Sequence, residues 1–169
     1  MSTDTLTNEH VFNRIKSQFE KSIHSVTEPW GLLTLNVDPS RIIDILTFLR
    51  DDTELQFILL TDLCGVHWPD DKEKFEVVYH VHSLIHNFRI RIKARIAGDI
   101  PHIKSVVGVY PTANWMERET YDFYGIHFDG HPNLRRILNV DEMTIFPLRK
   151  EYPLEDNTRL DKNDDMFGR

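Results

Sequence analysis

One cysteine, seven glycines and a shortage of positive charge set the first limits on this 169-residue chain. Cys64 alone closes no internal disulfide and cannot supply an all-cysteine zinc site or a thiolate-held iron–sulfur cluster, which takes about four cysteines. An intracellular chain with no cluster of its own is expected. The glycines at 31, 65, 98, 108, 125, 130 and 168 form neither a GxGxxG nor a Walker-type phosphate loop, and no serine stands in a GxSxG elbow. Dinucleotide, flavin or nucleotide binding by the common motifs is therefore unsupported. The apolar run 57–60 stops at Thr61 and Asp62, far short of the roughly 18 residues of a membrane span. The opening MSTDTLTNEH lacks a basic n-region and an apolar h-region, so neither a secretory nor a transit signal is expected, and a bacterial cytoplasm fits. Twenty Lys plus Arg against 27 Asp plus Glu give a net charge of −7, which provides no global field to gather nucleic acid or anionic lipid.

What is present is a globular composition. Hydrophobic residues at 40 % and charged ones at 28 % predict one ordinary domain with a core. Over residues 8–25, Val11, Phe12, Ile15, Phe19 and Ile23 recur at helical spacing. Leu33, Leu35 and Val37 then alternate as in a half-buried strand, and Asp38-Pro39-Ser40 supplies a capping oxygen and a first-turn proline for a second helix ending near Asp51. The more continuously apolar residues 55–64 predict a central strand. Residues 75–83 place Phe75, Val77, Tyr79 and Val81 on one face, and 88–96 alternate Phe88, Ile90, Ile92, Ala94 and Ile96 with Arg89, Arg91, Lys93 and Arg95. From Thr112, a plausible N-cap, Ala113, Met116, Thr120, Phe123 and Tyr124 mark one side of a helix that Gly125 can end. The order of elements predicts an α+β two-layer sandwich, with a mixed, largely antiparallel sheet, helices on one face and the basic row on the other. Beyond Gly125 periodicity fades, and His131-Pro132, Phe146-Pro147 and Tyr152-Pro153 restrict the chain to extended or turn geometry. The expected division is an α+β domain over 1–125 and a long irregular extension over 126–169.

Few side-chain groups point to chemistry. Cys64, in an apolar strand context that raises a thiol pKa, reads as a buried structural cysteine. Nine histidines include His80 with His82 on one strand face and His127 with His131 after the third helix, but no HExxH occurs, so ordinary polar-face residues are the better reading. The basic row lacks the interleaved aromatics of a nucleic-acid surface and reads as a solvated or partner-facing sheet face. Glu117, Arg118, Glu119 and Asp122 put three carboxylates and a guanidinium on two turns, and two of the carboxylates offer an acid/base pair. They are read more simply as a structural helix, with the glutamates near its N-terminus and Arg118 paired to Asp122 at i, i+4. A small zinc hydrolase and an RNA-binding module are the rival classes that these residues leave open.

The stretch ERETYDFYGIHFDGHPNLRRIL, residues 117–138, followed by PLRKEYPLED, residues 147–156, resembles the signature of the 30-kDa subunit family of respiratory complex I, whose bacterial members are the C-type subunits of NADH-quinone oxidoreductase. The matching residues are Glu117, Arg118, Glu119, Asp122, Gly125, His131, Pro132, Leu134, Arg135, Arg136, Pro147, Leu148, Arg149 and Lys150. A looser likeness runs upstream through YPTANW, 110–115, and FEVVYHVHSL, 75–84, and so covers most of residues 30–156. Asn139-Val140 and Ile145-Phe146 stand where the family often has Pro and Gly-His.

The resemblance implies a non-catalytic structural subunit of the peripheral arm of a proton-translocating NADH-quinone oxidoreductase, at the cytoplasmic face of the bacterial membrane. It implies packing against the 49-kDa-type (D-type) subunit and nearness to the B-type and I-type subunits. It implies no cofactor in this chain, FMN and iron–sulfur clusters lying in other subunits, and quinone reduction by the whole complex. The matched residues become a partner interface, in which the Pro-rich segment with Arg135-Arg136 and Arg149-Lys150 wraps a neighbour and orders on binding. The equivalent subunit of a membrane-bound hydrogenase or a ferredoxin–plastoquinone oxidoreductase is the alternative within the family.

Overall fold

Alternation along residues 75–83 and 88–96 builds the middle of a sheet, as the computed structural model of residues 6–152 describes it. Pro153, the end of the PLRKEYPLED stretch and the polar residues 161–169 lie outside the described residues. The elements in order are α1 (Asn8–Phe19), β1 (Ile23–Thr27), β2 (Thr34–Val37), α2 (Ile42–Asp51), β3 (Leu59–His67), β4 (Phe75–Ser83), β5 (Phe88–Ile96), β6 (His102–Lys104), α3 (Ala113–Tyr124) and β7 (His127–Asp129). The five-stranded sheet runs β1-β2-β5-β4-β3, antiparallel except for the parallel pair β2–β5. This is the α+β two-layer sandwich, followed by a long irregular extension.

Register explains the core. Phe75, Val77, Tyr79 and Val81 lie opposite Ile96, Ala94, Ile92 and Ile90, and all eight are buried. Leu35 and Val37 continue that face beside Ile92 and Ala94. Helix α1 contributes Val11 and Ile15, and α2 contributes Ile42, Ile45, Leu46 and Leu49, the buried members of amphipathic sequences. Asp38 accepts a hydrogen bond from the Ser40 amide, as a capping oxygen should, in a short 3-10 turn over Pro39–Arg41 that leads into α2. Among the described residues no helix is long and apolar enough to cross a membrane.

Four expectations need correction. Expected as one helix over 8–25, the first segment leaves the helix after Phe19. Ile23, four residues on, pairs with Val37 in an edge strand with a bulge between Ile23 and Ser25. Residues 55–64 do not form a central strand. Leu55 and Phe57 are buried from the preceding loop, and β3 lies at the sheet edge with α3 beside it. Gly65 permits that closeness, since a Cβ there would lie 2.8 Å from Tyr124 Cδ2 and 2.9 Å from Thr120 Cγ2. Cys64 is exposed, because it shares a face with Val78 and Lys93 rather than with the core. Its thiol is raised by partial burial and by Asp62. Thr112 makes no capping bond and already has helical angles.

Candidate functional site

The matched residues gather around α3, and the chemistry of a helix end explains why. The last four carbonyls of an α-helix have no partner within it. In α3 every one is answered by the segment that follows: Tyr121 O by the Gly125 amide at 2.8 Å, Asp122 O by Arg136 Nη1 at 2.9 Å, Phe123 O by the Leu148 amide at 3.1 Å, and Tyr124 O by Arg149 Nε at 2.7 Å. Two of the four donors are guanidiniums, the charge that a helix C-terminus favours. Gly125 makes the exit possible: its φ of 70° is left-handed, and a Cβ would lie 2.5 Å from Phe146 Cε2 and 2.7 Å from Arg149 Nη2.

Asp122 is the centre of the arrangement. Its side chain is wholly buried, with Oδ1 accepting from Arg136 Nη1 at 2.7 Å and Asn139 Nδ2 at 3.1 Å. Its Oδ2 accepts from the amides of Ile137, Leu138 and Asn139 at 3.1, 2.8 and 3.0 Å. Burial raises this carboxyl, but the donors outweigh burial and hold it well below the usual carboxylate range. The expected i, i+4 pair with Arg118 is absent, because Asp122 is taken by Arg136. Arg118 instead donates to the carbonyls of Arg135 and Arg136, both at 3.1 Å, and lies 4.8 Å over the Trp115 ring. Arg136 completes its bonds on Met143 O and Ile145 O and lies over Phe146.

Glu117 faces a different neighbour. It is buried and accepts from Ser105 Oγ and the Val106 amide, each at 2.7 Å. Burial without a cation pushes its carboxyl up to about 7 against those two bonds. Helix α3 thus buries two carboxylates whose environments drive them in opposite directions, one fastened to the loop before it and one to the segment after it. Glu119 is exposed.

The remaining matched residues finish the strap. His131 Nδ1 accepts from the Asn133 amide, so the Nε2 that meets Asn114 O at 3.0 Å is the protonated nitrogen. Leu134 packs on the core, and Pro147 is half-buried. Arg149 lies 4.8 Å over both Phe75 and Phe146. The Lys150 amide donates to Nδ1 of His67, which burial keeps neutral and able to accept. Pro132, Arg135, Leu148 and Lys150 are exposed. Expected to wrap a neighbour, the extension over its described part wraps this chain's own α3, and Arg136 and Arg149 make their pairs inside the fold.

Asn139 and Phe146 were missed from the motif, although they stand at the two departures from the family pattern. Asn139 gives Asp122 two bonds, one through an amide that proline lacks, and Phe146 receives two guanidiniums. The short parallel pair β6–β7, which brings His102 and His127 into a stack at 4.8 Å, also carries no periodic signal. Among the described residues no group of three His, Cys, Asp or Glu side chains is placed to hold a metal ion.

The family model and the curated relatives agree on one family. Residues 35–158 match the family described as the respiratory-chain NADH dehydrogenase, 30 Kd subunit. The C-type subunit of NADH-quinone oxidoreductase from Mesorhizobium japonicum is 47 % identical over 74 % of this chain and 62 % of its own length. The chain thus spans about three fifths of that curated relative. A trypsin-resistant fragment of Nqo5 matches 75 % of this chain and 98 % of its own at a TM-score of 0.64 and 26 % identity. A chain of an archaeal membrane-bound sulfane sulfur reductase, a respiratory membrane complex, matches 86 % of this chain and 85 % of its own at 0.74 and 25 % identity.

Proposed function

The chain belongs to the family of the respiratory-chain NADH dehydrogenase 30 Kd subunit, and from that we propose that it is a structural subunit of a bacterial NADH-quinone oxidoreductase. It sits in the peripheral arm at the cytoplasmic face of the membrane, packs against the 49-kDa-type subunit and lies near the B-type and I-type subunits. Electrons pass from NADH to quinone through flavin and iron–sulfur clusters held by other subunits, and this chain keeps its neighbours in place. The observation that carries the reading is the family match over residues 35–158, which takes in the sheet from β2 onward, α3 and the whole described strap.

The strap gives the reading a surface. Arg136, Asn139 and Arg149 turn inward to close α3, while Leu138, Val140, Ile145 and Leu148 stay exposed on it and Trp115 is exposed on α3. Exposed apolar groups of this kind mark contact sites. Glu119, Arg135 and Lys150 supply the polar part of the contact, Pro132 adds to its apolar part, and the buried matched residues position the strap without touching the partner. Affinity purification from native membranes tests both levels. Wild type is expected to bring down the other peripheral-arm subunits, and Leu138→Asp with Val140→Asp to lose the 49-kDa-type partner at an unchanged melting temperature. Recovery of the chain alone, or undiminished recovery of that partner with the double variant, refutes the proposal.

The likeness to the sulfane sulfur reductase favours one second reading, the equivalent subunit of a related membrane-bound respiratory complex. Co-purifying hydrogenase-like or sulfur-reductase subunits in place of an NADH-oxidising module would decide for it.

A further inference from the structure

The sheet face opposite α3 carries a charge pattern that the strap does not use. Lys93 and Arg95 are neutralised there, sharing the buried carboxylate of Glu76 at 3.1 and 3.4 Å, with Asp71 a further 2.6 Å partner for Arg95. Towards the β4–β5 turn the balance changes. Arg91 gives its Nε–H to the Nε2 of His80 at 2.9 Å, an imidazole that burial and Arg91 keep neutral, and Asp62 lies 3.4 Å from the other ring nitrogen. Arg89, paired in register with His82, is exposed and makes no ion pair among the described residues. A chain of net charge −7 thus concentrates under-compensated guanidiniums at one end of one face. At the same end Ile58, Leu84 and Ile85 are 49, 55 and 63 % exposed.

Resting on the reading that the chain works inside an assembly, we infer that this end of the outer sheet face is a second docking surface, and that its occupant is an acidic, partly apolar segment of a partner protein. Partner carboxylates meet Arg89 and Arg91, where guanidinium offers a two-pronged donor, and an apolar side chain covers the hairpin tip. A polynucleotide fits less well, since it gains nothing from the apolar tip and meets the repulsion of an acidic chain.

Cys64 reports on this face without any substitution, being exposed, the single cysteine, and near enough to Arg91 for that charge to bear on its thiol. A maleimide is applied to the isolated full chain and to the complex purified from native membranes. Labelling is expected to be about tenfold slower or more in the complex, and faster again in a complex carrying Arg89→Glu with Arg91→Glu. With Arg89→Lys, which keeps the charge and adds an amine, a carbodiimide should join position 89 to an Asp or Glu of another subunit. Equal rates in chain and complex, protection already present in the isolated chain, protection removed by ribonuclease, or absence of the carbodiimide product would each overturn the inference. A chain that co-purifies with its partners but labels freely refutes this surface alone, whereas a chain without partners removes both this and the proposed function.

Discussion

Replacing Asp122 by Asn tests the reasoning most directly, because the side chain keeps its shape and loses only its charge and one of its two acceptor oxygens. Oδ1 and Oδ2 together accept five hydrogen bonds from Arg136, Asn139 and three consecutive amides. The asparagine NH2 must point at donors whichever way it turns, and Arg136, with its side chain 8 % exposed, loses its buried counter-charge. Breaking such a pair costs about 3–5 kcal/mol, and buried donors left unsatisfied about 1–3 kcal/mol each. These costs overlap, and Arg136 keeps its carbonyl acceptors at Asp122, Met143 and Ile145. A loss of about 3–5 kcal/mol out of a typical 5–15 is expected, lowering the melting temperature by about 6–20 °C. The pH dependence carries the sign. A carboxylate whose folded pKa is depressed stabilises fully above its ordinary value of 3.8, and that stability drains as pH falls toward the lower folded value. Wild type and variant should differ most near neutrality and converge in acid. Urea unfolding followed by circular dichroism measures the difference, and hydrogen exchange over residues 136–150 locates it. A loss under about 1 kcal/mol at neutral pH, with the strap as protected as in wild type, would refute the account of α3.

Glu117→Gln should move stability in the opposite pH sense. A folded pKa near 7 against an ordinary 4.5 means stability fully present below 4.5 and lost as pH rises through 7, so the advantage of wild type over the variant should shrink by about 2–3 kcal/mol from pH ~5 to pH ~8 in paired urea titrations. Gly125→Ala puts a Cβ against Phe146 and Arg149 at positive φ and is expected to cost about 1–3 kcal/mol in thermal unfolding, whereas Gly108→Ala, with nothing within 4 Å, should stay within about 0.5. Gly65→Ala forces α3 from β3 and should cost about 1–3 kcal/mol, with exchange rising in α3; unchanged exchange there would contradict the close approach.

The local elements that repeat were legible in the sequence. Alternation along β4 and β5 and the helical spacing in α1 and α2 place the core face correctly, because burial of one face imposes a period on whatever residues occupy it, whereas α3 buries Glu117, Arg118 and Asp122 beside Ala113 and Thr120 of its apolar side. Gly125 was legible as the end of α3, since its left-handed turn suits glycine above other residues. Elements without room for a period, β6 and β7 at three residues each, left no such mark, and Ile23 kept helical spacing by coincidence while pairing in a strand.

By itself the sequence determined the family, the layer architecture and the basic outer face, because composition, periodicity and motif spacing are properties of the chain read in order. Tertiary structure alone decided which partners the motif's charges take. Arg118 and Asp122 stand in ideal register to pair with each other, yet each finds a better arrangement in the strap, where a buried carboxylate can collect five donors and a guanidinium can reach two carbonyls. That choice depends on how far from water each group ends up. Burial raises the cost of an unmade bond and so gives the site with the most donors precedence over the nearest neighbour along the helix.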